Sequence, residues 1–272
     1  MGTGQAPDSI SRGYVFDNAA AHAGARFRAL SEIFDPGTIR HLGDRGIQAG
    51  WRCLEVGGGG GSIARWLSER VGPTGHVLVT DIDTRFLETL NLPNIEVRRH
   101  NIASDPLPEG AFDLVHARLV LMHLPERERV LARLVAALKP EGWLVDEEFD
   151  ALSMPADPGV NPREVFLKTH AAMDRLLTGR GADPRFGRTL FTRLGAHGLV
   201  DVAAEARAFM WQGRSVGSKL WRANFEQLRE DLIGAGYVTK EELEQDLARL
   251  EDPDFLTPSP VMWTAWGRHP LP

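Results

Sequence analysis

From residue 51 onward, short apolar runs alternate with segments whose apolar residues recur every three or four positions. The runs at 51–56, 76–82, 94–99, 112–117 and 142–149 read as strands, and 62–71, 84–90 and 126–138 read as helices. Strands and helices taken in turn call for an α/β fold with a mostly parallel sheet covered on both faces.

The flanking segments are more helical. Asn18 to Phe34 carries Phe27, Leu30, Ile33 and Phe34 on one side and predicts an N-terminal helix, ended by Asp35-Pro36-Gly37 and followed by a short helix to about Leu42. Pro155 to Pro162 is a Pro/Gly-rich break, and Asn161-Pro162 supplies a cap with proline in the first turn of a helix over 163–178. Another helix is expected at 186–196, a strand at 199–211, helices across 215–250 interrupted at Gly234-Ala235-Gly236, and a closing strand at 261–266. These signals divide the chain into an N-terminal helical cap (1–45), a core (46–213), a helical lid insertion (214–258) and the closing strand of the core (259–272).

Composition narrows the partners. With 43% hydrophobic and 25% charged residues the chain reads as an ordinary soluble globular protein. A net charge of −6 and no basic cluster beyond short pairs such as Arg98-Arg99 give phosphate backbones or anionic lipid little to attract. No nucleic-acid or membrane partner is therefore expected; a small neutral or cationic substrate fits better. No window approaches the roughly 20 apolar residues of a membrane span, and Met1 to Ser11 has no apolar core that would mark a signal peptide. The single cysteine, Cys53, cannot form an intrachain disulfide, so a cytoplasmic location is expected. No zinc-ligand spacing or Ser/His/Asp arrangement is present, and no metal is expected.

The chemistry concentrates at Gly57 to Gly61, five glycines between a strand and a helix. Without side chains the backbone turns sharply and a ligand can lie against it, facing the open N–H groups of the following helix. Three features go together: Glu55-x-Gly57-x-Gly59-x-Gly61, then Asp81 at the end of the second strand, then Asn101-Ile102 after the third. An acid in the position of Asp81 suits a ribose diol. A dinucleotide oxidoreductase shares such features, but its fingerprint places a glycine where this chain has Ser62.

In these residues, and in Leu107-Pro108, Phe112-Asp113-Leu114-Val115, Val120 to Leu124 and Leu138-Lys139-Pro140-Glu141-Gly142, the chain resembles class I S-adenosylmethionine-dependent methyltransferases over about residues 45–150. It departs in having Asn101 where the family usually has Asp, and Glu141-Gly142 where it usually has Gly-Gly. The resemblance implies a doubly wound, seven-stranded Rossmann-like sheet and S-adenosyl-L-methionine as cofactor. By it, Glu55, Gly57, Gly59 and Gly61 line the methionine and sugar end, Asp81 takes the ribose, Asn101 with Ile102 takes the adenine, and Ile82 is a further cofactor-binding residue. Arg118 would reach the methionine carboxylate or the substrate, and Tyr14 would close over the sulfonium. Many relatives pair as dimers, so a homodimer is one option for the assembly.

The acceptor side is less determined. Asp146-Glu147-Glu148-Phe149-Asp150 is dense in carboxylates, and strand alternation puts Asp146, Glu148 and Asp150 on one side and Glu147 on the other. Glu148 is the first candidate for a general base. His170, on the stripe Phe166, His170, Met173 and Leu177, is the second; His123 reads as structural, and His22 and His116 as weaker candidates. Trp211, Trp221, Phe225, Trp263 and Trp266 suggest a flat, mostly apolar small molecule. The expectation is methyl transfer to an aromatic natural product at carbon, nitrogen or oxygen, with indole C3 among the candidates, as in bacterial relatives of the ubiquinone and menaquinone methyltransferases. The alternatives are a protein that uses the cofactor structurally or in cyclisation, and a nicotinamide-dependent oxidoreductase.

Overall fold

A computed structural model describes Phe16, residues 23–154 and residues 166–271. The strands are β1 (Arg52–Val56), β2 (His76–Asp81), β3 (Ile95–Arg99), β4 (Phe112–Arg118), β5 (Leu138–Asp150), β6 (Val200–Arg207), β7 (Met210–Gln212), β8 (Leu256–Pro258) and β9 (Val261–Arg268). The helices are α1 (Ala23–Gly43), α2 (Ser62–Val71), α3 (Arg127–Ala136), α4 (Lys168–Gly179), α5 (Phe186–Ala196), α6 (Val216–Gln227), α7 (Arg229–Gly234) and α8 (Lys240–Leu250). Seven strands make one sheet in the order β3-β2-β1-β4-β5-β9-β6, while β7 and β8 form a separate ribbon. Within the large sheet only β9 runs antiparallel to its neighbours.

Alternation along the central strands divides the core. Cys53, Val77, Leu114 and Val145 pack with α2 on one face, and Leu54, Leu78, Val115 and Leu144 pack with α3 and α5 on the other. A third apolar cluster lies outside the sheet, where Phe34 of α1 meets Met173 and Leu177 of α4, Trp221 and Phe225 of α6, and Leu247 of α8. Ser215 caps α6, and Thr239 with Glu242 forms a reciprocal capping box at α8, so both helices of this outer layer start at polar caps.

Three expectations need correction. Asp35-Pro36-Gly37 does not end the first helix: α1 runs through Pro36 to Gly43. Proline already has a helical φ and removes one backbone bond, and the residues around it are held by the sheet. Asp35 accepts from Arg118 Nη2 of β4 at 2.8 Å, and Thr38 donates to Glu147 of β5. Gly37 leaves room for the Arg207 guanidinium, which a Cβ would overlap. The supposed breaker is thus the contact segment that straps α1 across the sheet.

Residues 84–90 form turns rather than a helix, with Leu87 N–H bonded to Thr84 O and Leu90 N–H to Leu87 O, both at 2.8 Å. Asp83 takes the Arg85 N–H locally and favours a turn over a helical start. The strand expected at 199–211 divides after Arg207, so that β6 stays in the large sheet and β7 leaves it to pair with β8. The start of α1 expected at residue 18 and the Asn161-Pro162 cap lie outside the described residues.

Strand order reverses between β1 and β4, and the segments leaving their C-terminal ends diverge there. Open parallel sheets bind ligands at such a point. The glycine run leaves β1, and Leu119-Val120 leaves β4, so both converge on that crevice.

Candidate active site

The crevice is an open cleft lined by residues of α1, β1, β2 and β4 and of the loops that leave these strands. Its floor is Gly57 to Gly60. φ is positive at Gly57, Gly59 and Gly61, the three positions that the sequence pattern singles out, but Gly61 is buried beneath the floor against Leu90 and does not line the cleft. A Cβ on Gly57 would collide with Val120 Cγ2, so the backbone there approaches the β4 exit as closely as it can. Gly58, at a position the sequence pattern leaves open, is also restricted, since a Cβ would collide with Val79 Cγ1. No side chain caps α2, so the N–H groups of its first turn remain available to a ligand.

Asp81 closes one side. Its Oδ2 accepts from Gly59 N–H and its Oδ1 from Asp83 N–H, each at 3.0 Å. Each oxygen keeps a second lone pair for the cleft. Burial raises its pKa, and the Asp83 and Gly59 N–H groups act against that rise. Asn101 lines the same cleft with Ile82 and Ile102. Asn101 Oδ1 caps the Ala103 N–H at 3.0 Å, so the amide expected to face an adenine also shapes its own loop.

Glu55 lines the cleft from below and is held by His116, whose Nδ1 lies 2.6 Å from Glu55 Oε2. Burial alone would lower the His116 pKa, but the carboxylates of Glu55 and Glu147 outweigh it and raise it to about 9. Burial alone would raise that of Glu147, but His116 on one side and Arg118 and Thr264 on the others hold it at about 2. His116 and Glu147 are therefore both ionised through the neutral range.

This row makes stability depend on pH. His116 keeps its proton in the fold but gives it up near 6.5 when unfolded, so its contribution is complete below 6.5 and lost as pH rises through about 9. The thermal midpoint is expected to fall between pH 7 and 9, with a shallower fall in His116→Gln; equal slopes would contradict the assignment.

Arg118 lines the cleft while donating to Thr38 Oγ1 and Asp35 Oδ1, both at 2.8 Å. Two of its N–H groups are thus committed to α1. Glu148 lines neither this cleft nor the cavity beside it. It is fully buried, and its Oε1 accepts from Val120 and Leu121 N–H at 3.0 and 2.6 Å. Burial and the Asp146 charge push its pKa well up. Its visible work is to hold the β4 exit against the glycine run.

A second cavity adjoins the cleft, sharing Arg26, Leu30, Leu119 and His123 with it. Leu119 has φ 57, a left-handed conformation that is costly for a branched side chain and typical of functional walls. His123 is neutral there, burial lowering its pKa to about 3. The far wall carries Met173, Asp174, Trp211, Trp221 and Asn224. His170 does not reach it: the ring packs at 4.3 Å from Trp221 and 5.4 Å from Phe225, and burial lowers its pKa to about 3. Asp174, one turn further along α4, is the ionisable group that faces the cavity instead. Helical spacing marks Asp174 as readily as His170, whereas nothing in the sequence marks Arg26 or Asn224. Tyr14 lies outside the described residues.

Among the described residues no cluster of three or more His, Cys, Asp or Glu side chains is placed to hold a metal ion, and no helix is long and apolar enough to cross a membrane.

Residues 54–146 match the methyltransferase-domain family. The chain is 33% identical over 141 residues to methyltransferase str3 of Strobilurus tenacellus, covering 51% of this chain and 49% of that protein. It is 28% identical over 158 residues to the ubiquinone/menaquinone biosynthesis C-methyltransferase UbiE of Bordetella avium, covering 53% of this chain and 59% of that one. The match thus spans about half the length of these curated relatives. In fold it is similar to phosphoethanolamine N-methyltransferase 2 of Haemonchus contortus, solved with phosphomonomethylethanolamine and S-adenosylhomocysteine, at a TM-score of 0.61 and 14% identity over 97% of this chain and 62% of that one. The YcgJ protein of Bacillus subtilis gives a TM-score of 0.57 at 15% identity over 86% of this chain and 97% of that one.

Proposed function

We propose that this chain, which carries a class I S-adenosylmethionine-dependent methyltransferase domain, transfers the sulfonium methyl group to a small aromatic acceptor. The observation that carries this is an aromatic-walled cavity beside the glycine-floored cleft, the two sharing Arg26, Leu30, Leu119 and His123. The residues of the cleft fit the cofactor: Asp81 has lone pairs for a diol, the glycine run admits a ligand against bare backbone, and α2 offers uncapped N–H groups. Bound there, S-adenosylmethionine supplies an already activated methyl group. The protein's task is to hold the acceptor close and collinear in a site that excludes water, a gain of several kcal/mol.

Arg26, Leu30, Leu119 and His123 form the wall at which cofactor and acceptor would meet. Ile82, Asn101 and Ile102 would flank the adenine, while Glu55 and Arg118 bound the methionine end. The helices of 214–258 would act as the lid, since Trp221 and Asn224 come from α6. The domain match and the structural neighbours support a sulfonium cofactor over a nicotinamide one.

Incubation with S-adenosylmethionine and a panel of aromatic metabolites tests the reading by product mass. Gain of one methyl group with formation of S-adenosylhomocysteine is expected. Turnover of an acceptor without methyl gain would favour cyclisation instead.

A further inference from the structure

The second cavity contains a carboxyl group that no protein side chain pairs with. Asp174 is the only carboxylate among its described lining residues, and no hydrogen bond or ion pair joins it to any described residue. Facing the same space from α6 are Asn224, whose buried Oδ1 has no partner, and Trp221, 4% exposed, whose Nε1 has none either. Buried polar atoms are normally satisfied, and leaving several open costs about 1–3 kcal/mol each. Two such atoms, beside a half-buried carboxyl group that no protein side chain pairs with, in one cavity next to the cleft mark a site built for a polar ligand.

We infer that this cavity recognises its acceptor through a protonated amine on a flat apolar body, with the ammonium group between Asp174 and Asn224 Oδ1 and against the Trp211 and Trp221 rings. The inference rests on the methyltransferase reading and names the acceptor class. Two of the three open groups are acceptors, which suits a group with three N–H donors better than a neutral hydroxyl with one. The indole faces attract a cation and do not attract a neutral donor in the same way.

Burial raises the Asp174 pKa to about 7, a penalty that an incoming cation relieves. The cation of the protein itself, Arg26, lies elsewhere, 4.8 Å from both the Phe16 and Phe27 ring centroids on the wall shared with the cleft. An amine held at Asp174 thus leaves the rest of the acceptor pointing toward that wall. The Trp221 Nε1–H remains for an acceptor atom on the ligand body.

The test uses the whole protein saturated with S-adenosylhomocysteine and titrated with 2-phenylethylamine or its neutral counterpart 2-phenylethanol, read by calorimetry and tryptophan fluorescence. The amine is expected to bind about tenfold more tightly, the worth of a charge-assisted hydrogen bond. Asp174→Asn is expected to remove the preference while S-adenosylhomocysteine affinity and circular dichroism stay unchanged. Asn224→Leu is expected to reduce it several-fold, so the comparison survives if Asp174→Asn does not fold. Equal affinities, no binding of the amine, or a preference that persists in Asp174→Asn overturns the inference while the methyltransferase reading stands. Failure of the folded wild-type protein to bind S-adenosylhomocysteine overturns both.

Discussion

Glu147→Ala is expected to destabilise the protein by about 3–5 kcal/mol, the cost of leaving buried charges without their partner. Glu147 is fully buried and is the point at which four elements meet. Thr38 of α1 donates to Oε2, while Thr264 of β9 and Arg207 of β6 reach Oε1 at 2.5 and 3.0 Å. His116 Nε2 of β4 lies 3.5 Å from Oε2. Removing the carboxylate leaves the Arg207 guanidinium without this carboxylate and the buried His116 with Glu55 alone, and it releases the strap that keeps α1 over the cleft.

Glu205→Ala provides the contrast. Glu205 is partly exposed and pairs with Arg40, so its loss is expected to cost less than about 1 kcal/mol. Denaturant unfolding of both variants checks the assignment. A Glu147→Ala loss no larger than that of Glu205→Ala would mean that the network contributes little.

Asp81→Ala is expected to weaken S-adenosylmethionine binding by about 2 kcal/mol, roughly thirtyfold, through the loss of charge-assisted bonds to a diol. The fold should survive, because Asp81 lies at the end of β2 and bonds only to local backbone N–H groups. Its removal also frees the Gly59 N–H, so part of the loss is expected to come from a less ordered loop. Asp81→Asn retains an oxygen for that N–H and should fall between the two. Affinities measured by calorimetry in parallel with unfolding separate a binding defect from a folding defect, and an unchanged affinity in a folded Asp81→Ala would remove this residue from the site.

The sheet was legible because its signals are local. Apolar runs for β1, β2, β4 and β9, and helical spacing for α2 and α5, need no knowledge of what packs against them. That Glu55, the glycines Gly57 to Gly60 and Asp81 meet at one cleft has a similar reason, since they lie close to strand ends in a fixed order.

What the sequence concealed depends on distant partners. Pro36 reads as a helix end until Arg118, Glu147 and Arg207 hold the residues around it. Glu148 reads as a base because carboxylates cluster there, yet its register turns it to the Val120 and Leu121 N–H groups and away from both cavities. His116 reads as a weak candidate for a base until β1 and β5 place Glu55 and Glu147 on either side of its ring. His170 and Asp174 share one helix and similar spacing, and only the packing of α6 decides that the histidine meets Trp221 and Phe225 while the acid faces the cavity.

The cleft above the glycine run is expected to bind a sulfonium nucleoside and to present it to the adjoining cavity. Calorimetric titration of the wild-type chain with S-adenosylmethionine, followed by S-adenosylhomocysteine as competitor, tests it most directly. Saturable binding at one site per chain, displaced by the competitor and weakened about thirtyfold in Asp81→Ala, is the predicted result. A folded wild-type protein that takes up neither compound would contradict the account.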